Sequence, residues 1–193
     1  IFRDRLGFPV RFAAELGYGK AVHHVLRTVA ETVKAGGSIP DKKELDRILD
    51  ESFFLPAANK PGHKQMKAAA KDLIGEYVKH RKPELERVWE TERPFELRLD
   101  GVSISGRADV ILDYEDGKPS NLAIVDYKTS TKTVLTDHDL QLQIYVIAGR
   151  REGLTVDGAY VHDLRSPKDK PHKRSEEHTS ELQSRVDISY AVF

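Results

Sequence analysis

The sequence predicts an α/β (α+β) fold: a helix, a helical insert, a run of antiparallel strands, another helix and a further strand in a mixed sheet. Three observations carry this. Apolar residues recur at helical spacing through residues 12–82. From about Phe95 the period becomes two. Over residues 138–152 it returns to helical spacing, and one more β-favouring run follows at 158–164.

The first helix is predicted over residues 12–35, where Val22, Val25, Leu26, Val29 and Val33 form one stripe and "AGG" at 35–37 ends it. Two further helices are expected at 41–54 and 63–82, separated by the breaker-rich "LPAANKPG" and closed by Pro83. These two form the helical insert. "FELRL" (95–99), the dipeptide Asp100-Gly101 and "VSISG" (102–106) read as strand, tight hairpin and strand. "RADVILDY" (107–114) and "LAIVDYKT" (122–129) read as two more strands, joined by the turn-forming "EDGKPSN". The helix at 138–152 presents Leu140, Ile144 and Ile147, and "GAYVHDL" at 158–164 closes as a strand. A strand that follows a crossover helix is expected to lie parallel to an earlier one.

Composition narrows the function classes. A chain of 193 residues has room for one domain with a real core. No apolar run approaches the length of a membrane helix. The absence of cysteine excludes disulfides, thiolate-bound zinc, cysteine-ligated iron–sulfur clusters and a cysteine nucleophile in this stretch, and is consistent with a cytoplasmic protein. The 31 basic and 31 acidic residues cancel, so a site for a polyanion must be local. No Walker-type phosphate loop is present, which places any use of ATP elsewhere. The start at Ile1 without methionine suggests an internal piece of a longer protein. "RSEEHTSELQS" at 174–184, with "RVDISYAVF" after it, resembles the translation of a sequencing adapter. Residues 174–193 are therefore read as an artefactual tail. The natural domain is expected within 1–173, with the core at about 10–35 and 93–165 and the insert at about 38–92.

Four polar features stand on elements that can converge. In "GKAVHHVL" a helical wheel of about 100° per residue puts His24 opposite the apolar stripe and His23 on its flank, so only His23 looks toward the core. In "GRADVIL" simple alternation gives Asp109 the face of Ile111, with Ala108, Val110 and Leu112 on the other. In "AIVDYKTSTK" alternation sets Asp126 and Lys128 side by side and Tyr127 opposite. In "QLQIY" Gln141 and Tyr145, four apart, share a helical face. Hard divalent ions take oxygen ligands, commonly a few carboxylates with waters retained. Two aspartates on neighbouring strands supply such a site, and a histidine from the first helix completes it. A lysine beside the metal can orient or deprotonate the attacking water, or stabilise charge on a phosphoryl group.

The ordered set "GKAVHHVL", "GRADVIL", "DYKTS" and "QLQIY" resembles the PD-(D/E)XK nuclease superfamily, specifically the RecB-like branch at the C-terminal end of helicase–nucleases such as the RecBCD and AddAB enzymes. The resemblance covers about residues 10–165 and implies a restriction-endonuclease-like core. It makes His23, Asp109 and Asp126 metal-binding residues, with the main-chain carbonyl of Tyr127 as a further ligand, and Lys128 the catalytic lysine. Gln141 and Tyr145 match an element that lies beside the active site in the family and helps to hold DNA or the lysine. Glu92 or Glu96 falls where relatives often carry another acidic residue. The implied cofactor is Mg2+, or Mn2+, and the lack of cysteine excludes the iron–sulfur subtype for this stretch. The implied activity is hydrolysis of phosphodiester bonds in DNA, expected to be single-stranded, for repair or recombination. A helicase domain upstream in the same polypeptide, or on a partner subunit, is implied with it.

A route for DNA is suggested by Lys60, Lys64, Lys67, Lys71, Lys79, Arg81 and Lys82 set against Asp72 and Glu76, which gives 7 − 2 = +5 on one segment. A solvated helix face explains the same lysines. Two other readings stay open. One is the same fold as an inactive DNA-binding or scaffolding module, and the other is an unrelated α+β binding domain in which the motifs do not converge.

Overall fold

The computed structural model describes residues 14–56, 58–99, 101–113, 121–129, 135–169 and 172–173. Its helices are α1 (Ala14–Lys34), α2 (Lys42–Ser52), α3 (Lys60–His80) and the short α4 (Lys82–Leu85). Strands β1 (Val88–Leu99), β2 (Val102–Asp113) and β3 (Leu122–Lys128) follow, then α5 (Leu135–Arg151), β4 (Val156–Asp163) and the two-residue β5 (His172–Lys173). The five strands lie in sequence order. All neighbouring pairs are antiparallel except β3 and β4, which run parallel across the α5 crossover. The α+β class, the mixed sheet and the parallel β3–β4 pair are as the sequence predicts.

The sheet carries a core on each face. Val22, Val25, Leu26 and Val29 of α1, with residues of α2 and α3, pack on Val110, Leu112, Ala123 and Val125. Leu142, Tyr145 and Ile147 of α5 pack on Phe95, Ile111 and Ile124 of the other face. Strand β3 is therefore buried on both sides from Leu122 to Tyr127, which is why it reads as a nearly unbroken apolar run up to Asp126.

Several boundaries differ from the sequence expectation, each for a local reason. Helix α3 starts at Lys60 rather than His63, because the Asn59 side chain accepts from the Gly62 N–H at 2.8 Å and Pro61 sits in the first turn. A proline there loses no helical bond, so "NKPG" is a helix start and not a breaker. "VSISG" and "RADVIL" are one strand, β2, since the register with β1 runs unbroken from Leu99–Val102 to Glu90–Ile111. Strand β1 begins at Val88, inside the stretch assigned to the helical insert. On α5 Ile147 is buried and Ile144 packs against the same cluster, as expected, with Leu142, Tyr145 and Val146 beside them, whereas Leu140 is 51% exposed. The hairpin at Gly101 is as predicted, with its φ of +78° in the region that favours glycine. The turn at 114–120 and the tail at 174–193 lie outside the described residues.

Besides the apolar packing of α2 and α3, a buried polar contact ties the insert to the sheet. Tyr77 Oη of α3 lies 2.8 Å from His162 Nδ1 of β4, and the Tyr77 ring meets Tyr127 edge-on at 5.4 Å. Burial, with the charge of Arg81, pushes the His162 imidazole down to about 3, so it stays neutral. Tyr77→Phe leaves the His162 nitrogen buried without a partner, an effect of about 1–3 kcal/mol. The expected result is a lower urea midpoint with an unchanged slope.

Candidate active site

The site is built where two strands part. β2 and β3 pair from Asp113–Leu122 to Val110–Val125. Beyond that, β2 continues beside β1 and β3 continues beside β4. One further step of the same register sets Asp109 opposite Asp126 in the opening fork. The Tyr127 N–H, past the end of that ladder, donates to Asp109 Oδ2 at 2.7 Å. Asp109 Oδ1 lies 3.0 Å from His23 Nδ1 of α1. A side-chain carboxylate thus replaces a ladder bond and joins α1, β2 and β3.

Helix α1 is brought close by Gly19, one turn before His23: a Cβ there would stand 3.2 Å from Thr129 Oγ1. His24 points to solvent and pairs with Arg27 at 2.8 Å, as the helical wheel predicts. On β3 the expected alternation also holds. Lys128 Nζ lies 2.6 Å from Asp126 Oδ2, while Tyr127 turns to the other face against Tyr77.

The face predicted for Asp109 is corrected. Ala108 belongs to the α5 cluster and Val110 to the α1–α3 cluster, although they are two residues apart. Facing them on β1, Thr91 bonds Glu31 of α1 while Arg93 bonds Glu152 at the end of α5. Between Thr91 and Arg93, Glu92 adopts a φ of +51°, rare for a residue with a Cβ. The pleat of both strands changes phase at the facing residues Glu92 and Asp109. Asp109 therefore leaves the face of Ile111 and turns to α1.

Electrostatics follow from burial. Desolvation raises the Asp126 carboxyl above its ordinary value, against the opposing pull of Lys128. Burial lowers the His23 imidazole, but its hydrogen bond to Asp109 and the charges of Asp109 and Asp126 outweigh that and leave it above 6.5. Among the described residues no three His, Asp or Glu side chains already form a closed cage for an ion. The donor set nonetheless suits a hard divalent cation. Two carboxylates, Asp109 and Asp126, stand opposite each other at the fork, and carboxylate oxygens are the ligands such an ion takes.

The remaining sequence candidates divide. Gln141 Nε2 donates to Tyr145 Oη at 2.7 Å, and that oxygen also accepts the Arg107 N–H at 3.0 Å. Glu92 lies beside Asp109 by register and pairs with Arg107 at 3.1 Å. Glu96, opposite Ser105, bonds Ser103 on the outer hairpin. On α3, Lys67 and Lys71 are each 2.7 Å from an aspartate of α2, Asp50 and Asp46 respectively. Lys60 and Lys64 are exposed. Tyr77, His162 and Gly106 were not singled out by sequence, because nothing local marks a histidine or a glycine whose importance comes from a distant tyrosine.

The model of the PD-(D/E)XK nuclease superfamily matches residues 2–189. This chain belongs to that superfamily. The match runs through most of the segment read as a tail. The PD-(D/E)XK chain shares its fold with the crystal structure of a provisionally named exonuclease from Eubacterium rectale, at TM-score 0.56 and 14% sequence identity over 99% of this chain and 70% of the other. No curated protein matches it. Membership makes it a nuclease domain, with DNA as substrate class and divalent metals as the general requirement of the superfamily. No helix of the described residues is long and apolar enough to cross a membrane.

The raised His23 value has a measurable consequence. The protonated imidazole paired with Asp109 contributes stability that is fully present below 6.5 and lost as pH rises through the folded value. In metal-free protein, the urea-midpoint gap between wild type and His23→Gln is expected to be widest in acid and to close in alkaline buffer.

Proposed function

We propose that this chain is a RecB-like, metal-dependent deoxyribonuclease domain that hydrolyses phosphodiester bonds in single-stranded DNA, working with a helicase in DNA repair and recombination. The observation that supports it most is the meeting of His23, Asp109, Asp126 and Lys128 at one strand fork, from elements far apart in the chain. Asp109, Asp126, His23 and the main-chain carbonyl of Tyr127 are the groups that would hold Mg2+, or Mn2+. Bound there, the ion would polarise the scissile phosphate and lower the pKa of a water. Lys128, held by Asp126, directs its ammonium at the attacking water or at a phosphate oxygen as charge builds. Asp126 keeps that lysine extended along the fork. His23 holds Asp109 turned toward α1, either as a ligand itself or as the partner that orients one. The reaction adds water across the P–O bond and leaves a phosphate and a hydroxyl end.

Lys60 and Lys64 suit contacts to the DNA backbone, because their charges are exposed on α3. Lys67 and Lys71 hold α2 to α3 and serve DNA less. The helicase would lie upstream in the same polypeptide or on a partner subunit, and a cytoplasmic location fits a chain without cysteine. The domain is read as one unit over 1–173, apart from the tail.

The deciding experiment incubates the purified chain with labelled single-stranded DNA and Mg2+, beside Lys128→Ala and an EDTA control. Metal-dependent cleavage that falls about 10²-fold or more in the variant is expected. A folded chain that binds DNA yet leaves it intact with both Mg2+ and Mn2+ sinks the nuclease reading in favour of an inactive module. For the route of DNA, Lys60→Glu with Lys64→Glu is expected to weaken binding and to flatten the log–log salt dependence by about 0.7 for each phosphate no longer neutralised. Lys71→Ala is expected to change affinity less, since its charge is already paired with Asp46.

A further inference from the structure

We propose that Tyr145 and Gly106 form a latch that fixes the aim of Asp109 through strand β2, so that Tyr145 is a positioning residue and not a contact to DNA or to Lys128. The turnover part of this proposal rests on the nuclease reading above; the structural part does not.

The need for a latch comes from the fork. Asp109 reaches His23 and the Tyr127 N–H only because β1 and β2 change pleat phase at Glu92 and Asp109. A strand in phase with Ile111 would aim the carboxylate at α5 instead. On the far side of that change β2 no longer has β3 as a neighbour, the ladder having ended at Val110–Val125. The segment just before Asp109 is thus held on one side only, by β1. A residue at positive φ, as Glu92 is on the partner strand β1, persists only where the surrounding structure holds it.

Tyr145 supplies the missing support from α5. Its hydroxyl accepts the N–H of Arg107, two residues before Asp109, at 3.0 Å. Gln141, one turn earlier on α5, donates to the same oxygen at 2.7 Å and fixes where it points. The phenol end of the ring sits against Gly106, where an added Cβ would stand 2.5 Å from Cε1 and Oη. Phe95, the partner of Gly106 in β1, stacks tilted against the ring at 5.6 Å. No larger residue leaves room for this seat. Tyr145 is 4% exposed, so its ring offers no face on which a base can stack. Its hydroxyl is engaged on β2.

The test uses the full chain with Tyr145→Phe and, separately, Gly106→Ala. In metal-free protein, amide hydrogen exchange at Tyr127 reports whether Asp109 still holds that N–H, and Asp109→Ala sets the released value. Tyr145→Phe is expected to speed exchange at Tyr127 by roughly 2- to 10-fold, the weight of one hydrogen bond, with Ile124 in the central ladder unchanged. Affinity for single-stranded DNA in EDTA is expected to stay within about twofold of wild type, while kcat falls and half-maximal rate needs more Mg2+. Gly106→Ala is expected to act in the same direction; if it fails to fold, Tyr145→Phe alone decides. Unchanged exchange at Tyr127 in folded Tyr145→Phe overturns the latch, and so does a drop in DNA affinity with kcat intact. If wild type cuts no DNA, the nuclease reading falls while the exchange comparison still judges the latch.

Discussion

Asp109 uses both carboxylate oxygens to close the fork between β2 and β3, taking the Tyr127 N–H on one and His23 on the other, and the rest of the site depends on that pair of bonds. Hydrogen bonds to an ionised group are about twice as strong as neutral ones, and these two are made in a partly buried position where water competes poorly. Through them the first helix, the outer hairpin and the central strand are set relative to one another. The strands separate at Asp109, and the same residue, proposed as a metal ligand, ties them together across the fork.

The central strand carries the other two residues proposed for the chemistry, Asp126 and Lys128, at an electrostatic disadvantage. Being buried on both faces keeps β3 rigid but also desolvates Asp126, whose carboxyl is raised accordingly. Lys128 offsets part of this. A fold selected for stability alone would not place an acid there, and perturbed groups of this kind gather at functional sites for that reason. A cation in the fork would relieve the same penalty, which links the unfavourable charge to the proposed role.

Two tyrosines brace the sheet from opposite faces. Tyr77, from the insert, bonds His162 and abuts Tyr127 of β3, between Asp126 and Lys128. Tyr145, from the crossover helix, seats on Gly106 in the strand before Asp109. Each presents an apolar ring to the core and a hydroxyl to a polar group, the buried His162 ring in one case and the Arg107 N–H in the other. The insert is therefore part of the support of the site as well as a carrier of lysines, two of which are paired with aspartates of α2.

The amino-acid sequence by itself determined what depends on neighbours along the chain. The α1 stripe, the Gly101 hairpin, the flank position of His23 and the shared face of Asp126 and Lys128 all follow from helical or strand periodicity over a few residues, and the structure shows each of them. The order of elements likewise implied the parallel β3–β4 pair, because a crossover helix leaves little alternative. Tertiary structure alone decided the rest. Alternation placed Asp109 on the wrong face because the phase change at Glu92 is made by two strands together and leaves no mark on either. The lysines of α3 looked alike until α2 paired with two of them. Gly106 and His162 gained meaning only from Tyr145 and Tyr77, since space and hydrogen-bond partners in a folded chain are supplied by residues that the sequence holds far apart.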